Sequence, residues 1–278
     1  MAYDFMNSDL MKRIAKRDKL AKRLGLEFID GPWPFLKVDT WPGVARVVGE
    51  AKREPGKTRV FVRGQIDNYR AMAPSLFRGD TSDTASLFAA EEEFGRRLGE
   101  QIPVARFQAP NPGALLQHYG FRTSWLDVLD NLFVAYWFAA HRINEGSDGT
   151  MQVCESAAKV GWLFLIRPPA DASIVDLRVE HHPLSARPHV QHGVSLRLKG
   201  EGVGDLAESV VATIQTPVAG SVAGSLFTGA ALFPHDSEDH TLKLLLKRKA
   251  NDLAASVEHA NHLKHGVLGR ISRWPNTA

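Results

Sequence analysis

The stretch Gly161-Trp162-Leu163-Phe164-Leu165-Ile166-Arg167 contains five large apolar residues in a row. A short apolar run between a glycine and an arginine is typical of a strand buried on both faces. Alternating or apolar patterns predict further strands at 59–62, 173–177, 194–198 and 210–214, and helices at 84–99, 112–119, 131–141 and 238–259. These elements predict one α+β domain with a mixed sheet flanked by helices.

The composition is that of a globular protein. The 278 residues are 44% hydrophobic and 23% charged, with a formal net charge of only +3. Such a balance excludes a disordered or collagen-like chain and does not by itself predict nucleic-acid binding. The single cysteine, Cys154, can form neither an intramolecular disulfide nor a cysteine-based zinc site. We therefore expect a reducing, cytoplasmic compartment.

Basic residues are concentrated at the N-terminus, where seven bases and three acids precede residue 25. Leu10, Ile14, Ala21 and Leu24 recur at helical spacing, which predicts a basic amphipathic helix. Its bases form a solvated face or contact the phosphates of a nucleic acid, and contact with a membrane surface is the least favoured reading. We predict a lead-in over 1–55 and a main domain over 56–278.

A segment of 26 residues, 209–234, contains no acidic, basic or histidine side chain and is long enough to cross a bilayer. Glutamine, proline and glycine residues interrupt it, and its β-branched part, 210–214, favours a strand. We therefore expect no membrane partner. A turn at Thr216-Pro217 and a loop of small residues are predicted to follow the strand.

Several common catalytic signatures are missing from the sequence. There is no Gly-x-Ser-x-Gly elbow, no phosphate loop ending in Gly-Lys-Ser/Thr and no His-Glu-x-x-His zinc helix. The eleven histidines match no metal-ligand spacing, so no metal is expected. The glycines at 200–204 lack a strand-turn-helix context and predict a flexible turn.

Two stretches stand out as candidate functional motifs. The first comprises Phe61-Val62-Arg63-Gly64-Gln65 and the following Pro74-Ser75-Leu76-Phe77-Arg78-Gly79. An arginine at a strand end can direct a permanent cation at a phosphate, while the next glycine lets backbone groups approach the ligand. The alternative is an arginine held in a structural ion pair.

The second stretch runs from Ala114 to Asp127, and a helix within it ends at Gly120. The polar residues His118, Tyr119, Thr123 and Asp127 lie here among large apolar ones, where they need partners or a ligand. The alternative is a helix C-terminus with a histidine whose hydrogen bonds are satisfied inside the protein.

Together these motifs resemble the FRG domain family. The resemblance rests on the Arg-Gly-Gln signature at 63–65, Pro-Ser-Leu-x-Arg at 74–78, Gln-His-Tyr-Gly-x-x-Thr at 117–123 and Leu126-Asp127, followed by Asn131 and the apolar helix after it. A later Arg187-x-x-x-Gln191-x-Gly193 is similar to the closing element of that family. Valine at 62, serine at 124 and leucine at 132 depart from the family pattern.

The Arg-Gly motif at a strand end also resembles the first motif of arginine-type ADP-ribosyltransferases. This resemblance implies NAD as substrate, a related fold and transfer to a protein or nucleic acid. The implied cofactor-binding residues are Arg63, Gly64, Gln65, Arg78 and Thr123. The implied catalytic residues are Arg63, His118, Tyr119, Asp127 and Gln191.

The carboxylate expected in such an enzyme is not evident, because Gln191 occupies its place and an amide cannot take a proton at neutral pH. Either Asp127 or Glu208 supplies it, or the domain binds a nucleotide without transferring anything. The sequence therefore leaves three classes open: a transferase, a nucleotide-sensing or nucleic-acid-binding module, and a structural or interaction protein.

Overall fold

The computed structural model describes residues 18–30, 34–53, 59–69, 72–78, 83–101, 111–145, 151–155, 158–198, 206–218, 226–263 and 267–271. The flexible turn predicted at 200–204 and the loop of small residues predicted after the last strand lie outside these ranges. So do residues 1–17, which form most of the predicted basic helix.

Strands make up a mixed sheet and a separate hairpin. The large sheet has the order β1-β2-β10-β7-β3-β4-β9-β8, and β5 pairs with β6. Only β2 and β10 pair in parallel; the other pairs are antiparallel. The strands are β1 (Glu27–Ile29), β2 (Phe35–Lys37), β3 (Phe61–Gln65), β4 (Leu126–Leu129), β5 (His141–Glu145), β6 (Met151–Glu155), β7 (Val160–Ile166), β8 (Ser173–Asp176), β9 (Gly193–Arg197) and β10 (Val210–Pro217).

Helices flank the sheet, which confirms the predicted α+β class. Short 3-10 turns at Ser75–Phe77 and Leu206–Ser209 complete the regular structure. The helices are α1 (Trp41–Lys52), α2 (Thr84–Gln101), α3 (Pro112–Gln117), α4 (Leu132–Ala140), α5 (Leu177–Glu180), α6 (Ala186–Val190), α7 (Gly229–Leu232), α8 (His240–Lys247) and α9 (Ala250–Ala260). None of the helices within the described ranges is long and apolar enough to cross a bilayer.

Helix α4 lies directly on the centre of the sheet. Asn131 caps it by accepting hydrogen bonds from the amides of Phe133 and Val134. Glycines on two adjacent strands allow the close approach, since a Cβ on Gly64 would lie 1.7 Å from the Ala135 carbonyl oxygen. A Cβ on Gly161 would lie 2.5 Å from the Ala139 carbonyl oxygen. Helix α4 is therefore seated by glycines that leave no room for a side chain.

The predicted C-terminal helix over 238–259 is wrong in one respect, because it is two helices. Lys249 adopts the left-handed conformation with φ of 49°, which interrupts the helix between α8 and α9. Both helices still bury leucines and alanines on one face, as the apolar spacing predicts. Because both segments are α-helices and only two residues separate them, the spacing of apolar residues along the sequence does not reveal the break.

Residues before position 55 take part in the same sheet and core. Strands β1 and β2 form one edge, and Val44 and Val47 of α1 pack in the cluster that contains Leu163 and Ile214. Residues 18–24 are helical, with Lys22 paired to Asp18 and Arg23 to Glu50. The division at 55/56 stays a prediction.

Candidate anion-binding site

The candidate site lies where two central strands diverge. Strand β3 forms five register pairs with β7, from Phe61–Ile166 to Gln65–Trp162, but a single pair with β4, Val62–Leu129. Both strands lie wholly within the described residues, so the sheet opens between them toward the end of β3. The guanidinium of Arg63 lies at this opening and donates a hydrogen bond through Nη1 to the backbone carbonyl of Asp127.

Arg63 is incompletely satisfied at this opening. Its Nε atom is buried and has no hydrogen-bond partner among the described residues, and the same is true of Oε1 of Gln65 on the same face of β3. Burial lowers the pKa of Arg63 to about 10, with a further lowering from Arg78 that Asp127 opposes. A buried donor and a buried acceptor without partners are costly unless something else pairs with them.

His118 lies between an amide and a carboxylate. Its Nδ1 is 2.9 Å from Oε1 of Gln191, and its Nε2 is 3.2 Å from Oδ1 of Asp127. Gln191 donates through Nε2 to the Leu232 carbonyl at 2.8 Å, which leaves Oε1 as the acceptor for the imidazole. The Nδ1 atom therefore carries a proton, and Nε2 faces a negative charge.

This arrangement favours the doubly protonated imidazolium. Burial lowers the pKa of His118, but the charge of Asp127 and the hydrogen bonds with Asp127 and Gln191 outweigh it, so the net shift is upward. The ring also lies against Gly193, where a Cβ would be 2.5 Å from the imidazole Cε1. Gln191 and Gly193 thus hold the ring in place.

Arg78 reaches the same region from the turn at 75–77. Its Nε donates to the Ala73 carbonyl at 3.1 Å. Burial lowers the pKa of Arg78, with Asp127 acting in the opposite sense. Thr123 supports this turn, because its carbonyl accepts from the Leu76 amide and its own amide donates to the Ser75 hydroxyl. The Thr123 hydroxyl is buried and donates to Gln117, which indicates a positioning role.

Among the described residues, cations outnumber carboxylates at this opening. Arg63 and Arg78 lie near Asp127, whose side chain is 27% exposed and faces the imidazole Nε2 of His118. Asp127 lies at the open end of β4, whereas Glu208, the other carboxylate considered from the sequence, lies in the 3-10 turn before β10. We call the opening between β3 and β4 at Arg63 and Asp127 the notch, and an excess of cations there suits an anionic ligand.

Two of the predicted site residues, Gly64 and Tyr119, make contacts inside the protein instead of facing the site. Gly64 presents its Cα to the backbone of α4, so that face of the residue is closed to a ligand. Tyr119 is 0% exposed, and its hydroxyl donates to both carboxylate oxygens of Asp239, at 3.0 and 2.9 Å. The structure brings together Arg63, Arg78, His118, Asp127 and Gln191 and leaves Tyr119 in the interior.

Glu91 is a titratable residue near the site that the sequence motifs did not single out. Burial raises its pKa to about 7, although the amide and side chain of Ser124 and the charge of Arg197 oppose the shift. Its Oε2 accepts from the Ser124 amide at 2.8 Å. The sequence contains a signal for its burial, because Glu91 lies four residues after Leu87 and three before Phe94. This spacing places it on the buried face of α2.

Comparison with known proteins identifies one family. Residues 58–148 match the FRG domain, which confirms the resemblance drawn from the motifs in that segment. The matched segment contains Arg63, Arg78, His118 and Asp127, whereas Gln191 lies beyond it. No curated protein and no solved structure matches the chain.

Proposed function

We propose that the notch between β3 and β4 binds the diphosphate of NAD and that the protein transfers or releases ADP-ribose. The observation that carries this proposal is the pair of guanidinium groups, Arg63 and Arg78, near the carboxylate of Asp127, where cations outnumber carboxylates among the described residues. Guanidinium groups bind phosphate oxygens through paired, charge-assisted hydrogen bonds. The unpartnered Nε of Arg63 supplies one such donor.

The proposed reaction breaks the bond between C1′ of the ribose and the nicotinamide nitrogen. The bonding electrons leave with nicotinamide, and positive charge develops on the ribose as an oxocarbenium-like species. Asp127 offers a carboxylate that stabilises this charge. The acceptor, water or a nucleophile on a protein or nucleic acid, then bonds to C1′ and releases a proton to solvent.

A second candidate is a nucleotide-binding module without turnover. His118 favours this candidate, because its Nδ1 is bonded to Gln191 and its Nε2 faces Asp127 at 3.2 Å, so neither ring nitrogen is directed at an acceptor as a general base. Binding then uses the same cations, and no bond breaks. A nucleic-acid partner for the basic N-terminal segment also remains a proposal, tested by the salt dependence of binding with and without that segment.

Calorimetric titration with NAD, with nicotinamide release followed in the same sample, tests the proposal. We expect heat of binding in the parent protein and its loss in Arg63→Ala. Arg59→Ala is the matched control, since Arg59 precedes the same strand, carries the same charge and pairs with Asp130 away from the notch. Circular dichroism establishes that both variants are folded.

The outcomes separate the candidates. Binding with release, lost only in Arg63→Ala, supports the transferase. Binding without release supports the sensing module. Absence of heat from the folded parent protein contradicts both, and equal loss in both arginine variants contradicts a specific role for Arg63.

A further inference from the structure

A second feature of the molecule lies next to the notch. A cavity of about 520 Å³ opens beside the end of β3 and the β5–β6 hairpin, a volume within the usual range for small-molecule sites. Its lining includes Asp67, Arg142, Cys154, Glu155 and Trp162. None of these residues belongs to the group around His118.

Strand β3 leads from the notch to the cavity, because Arg63 lies within the strand and Ile66 and Asp67, which follow it, line the cavity. Arg63 and Gln65 alternate with inward residues on β3 and so share a face, about 7 Å apart along the strand. Gln65 pairs in register with Trp162, and side chains opposite each other in a strand pair are neighbours. Gln65 is therefore a neighbour of Trp162, which lines the cavity, and its Oε1 is buried without a hydrogen-bond partner among the described residues.

The chemistry of the cavity differs from that of the notch. Among the described lining residues, two carboxylates, Asp67 and Glu155, outnumber the one arginine, Arg142, and Trp162 supplies a flat apolar surface. A planar ring that carries positive charge suits such a lining, because carboxylates and an aromatic side chain both attract a cation. The notch, by contrast, repels it.

We propose that this cavity receives the nicotinamide ring of NAD while the diphosphate occupies the notch. This inference rests on the proposed function and assigns the two ends of the ligand. The oxidised nicotinamide ring is cationic, whereas adenine and reduced nicotinamide are neutral. The carboxamide on the ring has both a donor and an acceptor, and the side-chain amide of Gln65 complements it. The cavity thereby selects oxidised NAD over NADH.

Cys154 provides a direct readout, since it is the only cysteine in the chain, is exposed and lines the cavity. The rate of its alkylation by iodoacetamide is measured with NAD, nicotinamide mononucleotide, NADH or ADP-ribose present at concentrations that saturate binding by calorimetry. We expect NAD and nicotinamide mononucleotide to slow alkylation at least several-fold. ADP-ribose, which lacks the ring, should leave the rate unchanged.

Glu155→Gln removes one cavity carboxylate with little change in shape. We expect it to weaken NAD binding several-fold and to leave ADP-ribose binding unchanged. Glu180→Gln, on α5 beside the far edge strand β8, is the matched control and should change neither.

Failure of this inference is distinguishable from failure of the proposed function. If NAD binds in an Arg63-dependent manner without protecting Cys154, or if ADP-ribose protects it equally, the notch proposal stands and the assignment of the cavity is overturned. If NAD gives no heat and no protection, the proposed function fails and the inference fails with it.

Discussion

His118 and Tyr119 are neighbours in sequence, yet they belong to two polar clusters of opposite character. The interior cluster contains Tyr119, Arg187 and Asp239, each 0% exposed. The notch cluster contains His118 with Asp127, whose side chain is 27% exposed, and Arg63, whose Nε has no hydrogen-bond partner among the described residues. A single peptide unit thus links a cluster that is closed to ligands to one that is open.

The interior cluster is balanced in charge and well bonded. Asp239 accepts from the Tyr119 hydroxyl and from the amides of Arg187 and Leu242, and it caps α8. The guanidinium of Arg187 lies 5.0 Å from the centre of the Tyr119 ring and donates to the His118 carbonyl. Arg187 and Asp239 are both buried, and the charge of Asp239 opposes the lowering of the Arg187 pKa by burial. Motif residues thus divide into those that build the fold and those available to bind a ligand.

The largest expected difference between the clusters concerns their carboxylates. Asp239→Ala leaves the Tyr119 hydroxyl, the Arg187 amide and the start of α8 without their acceptor and removes the nearby charge that favours the Arg187 cation, so we expect a loss of about 3–5 kcal/mol in unfolding free energy. Asp127→Ala, at a partly exposed position, should cost much less and reduce NAD turnover instead. Urea unfolding measures both. Equal costs would contradict the division into two clusters.

Glu91 is buried like the interior cluster, but it has no ion-pair partner among the described residues. Its pKa is raised to about 7 from an ordinary 4.5, so the folded protein binds the extra proton between these values and stability falls as pH rises through this window. The loss is on the order of 3 kcal/mol. Glu91→Gln should flatten this dependence, measured by unfolding at pH 4.5 to 8. An unchanged slope would show that other groups cause it.

Tyr119→Phe tests whether the tyrosine serves the fold or the ligand. Removal of the hydroxyl leaves Asp239 with its two backbone donors, so we expect a cost of about 1–2 kcal/mol in unfolding free energy and unchanged NAD affinity. Calorimetry and urea unfolding provide the two measurements. If the variant loses NAD affinity while its unfolding free energy is unchanged, Tyr119 serves the ligand and the assignment to the fold is wrong.

The sequence predicts the central elements because their causes are local. The apolar run at 162–166 and the Asn131 cap before α4 specify a buried strand and a helix start from neighbouring residues alone. The separation of His118 from Tyr119 depends on Gln191 and Asp239, which are 73 and 120 residues away. The spacing of residues within one motif cannot predict partners so distant in the sequence. The burial of Gly64 against α4 was unpredictable for the same reason.

The smallest expected effect is the pH dependence of the notch. The pKa of His118 is raised in the folded protein by the charge of Asp127 and by hydrogen bonds that together outweigh burial. Its stabilisation is therefore complete below the ordinary histidine pKa and is lost as pH rises through the folded value. Asp127→Asn should remove this dependence, so its stability deficit relative to the parent should be greatest near pH 5.5 and should shrink toward pH 9. NMR titration of the imidazole nitrogens follows the same proton, and a ring that stays neutral at pH 6 would contradict the imidazolium at the notch.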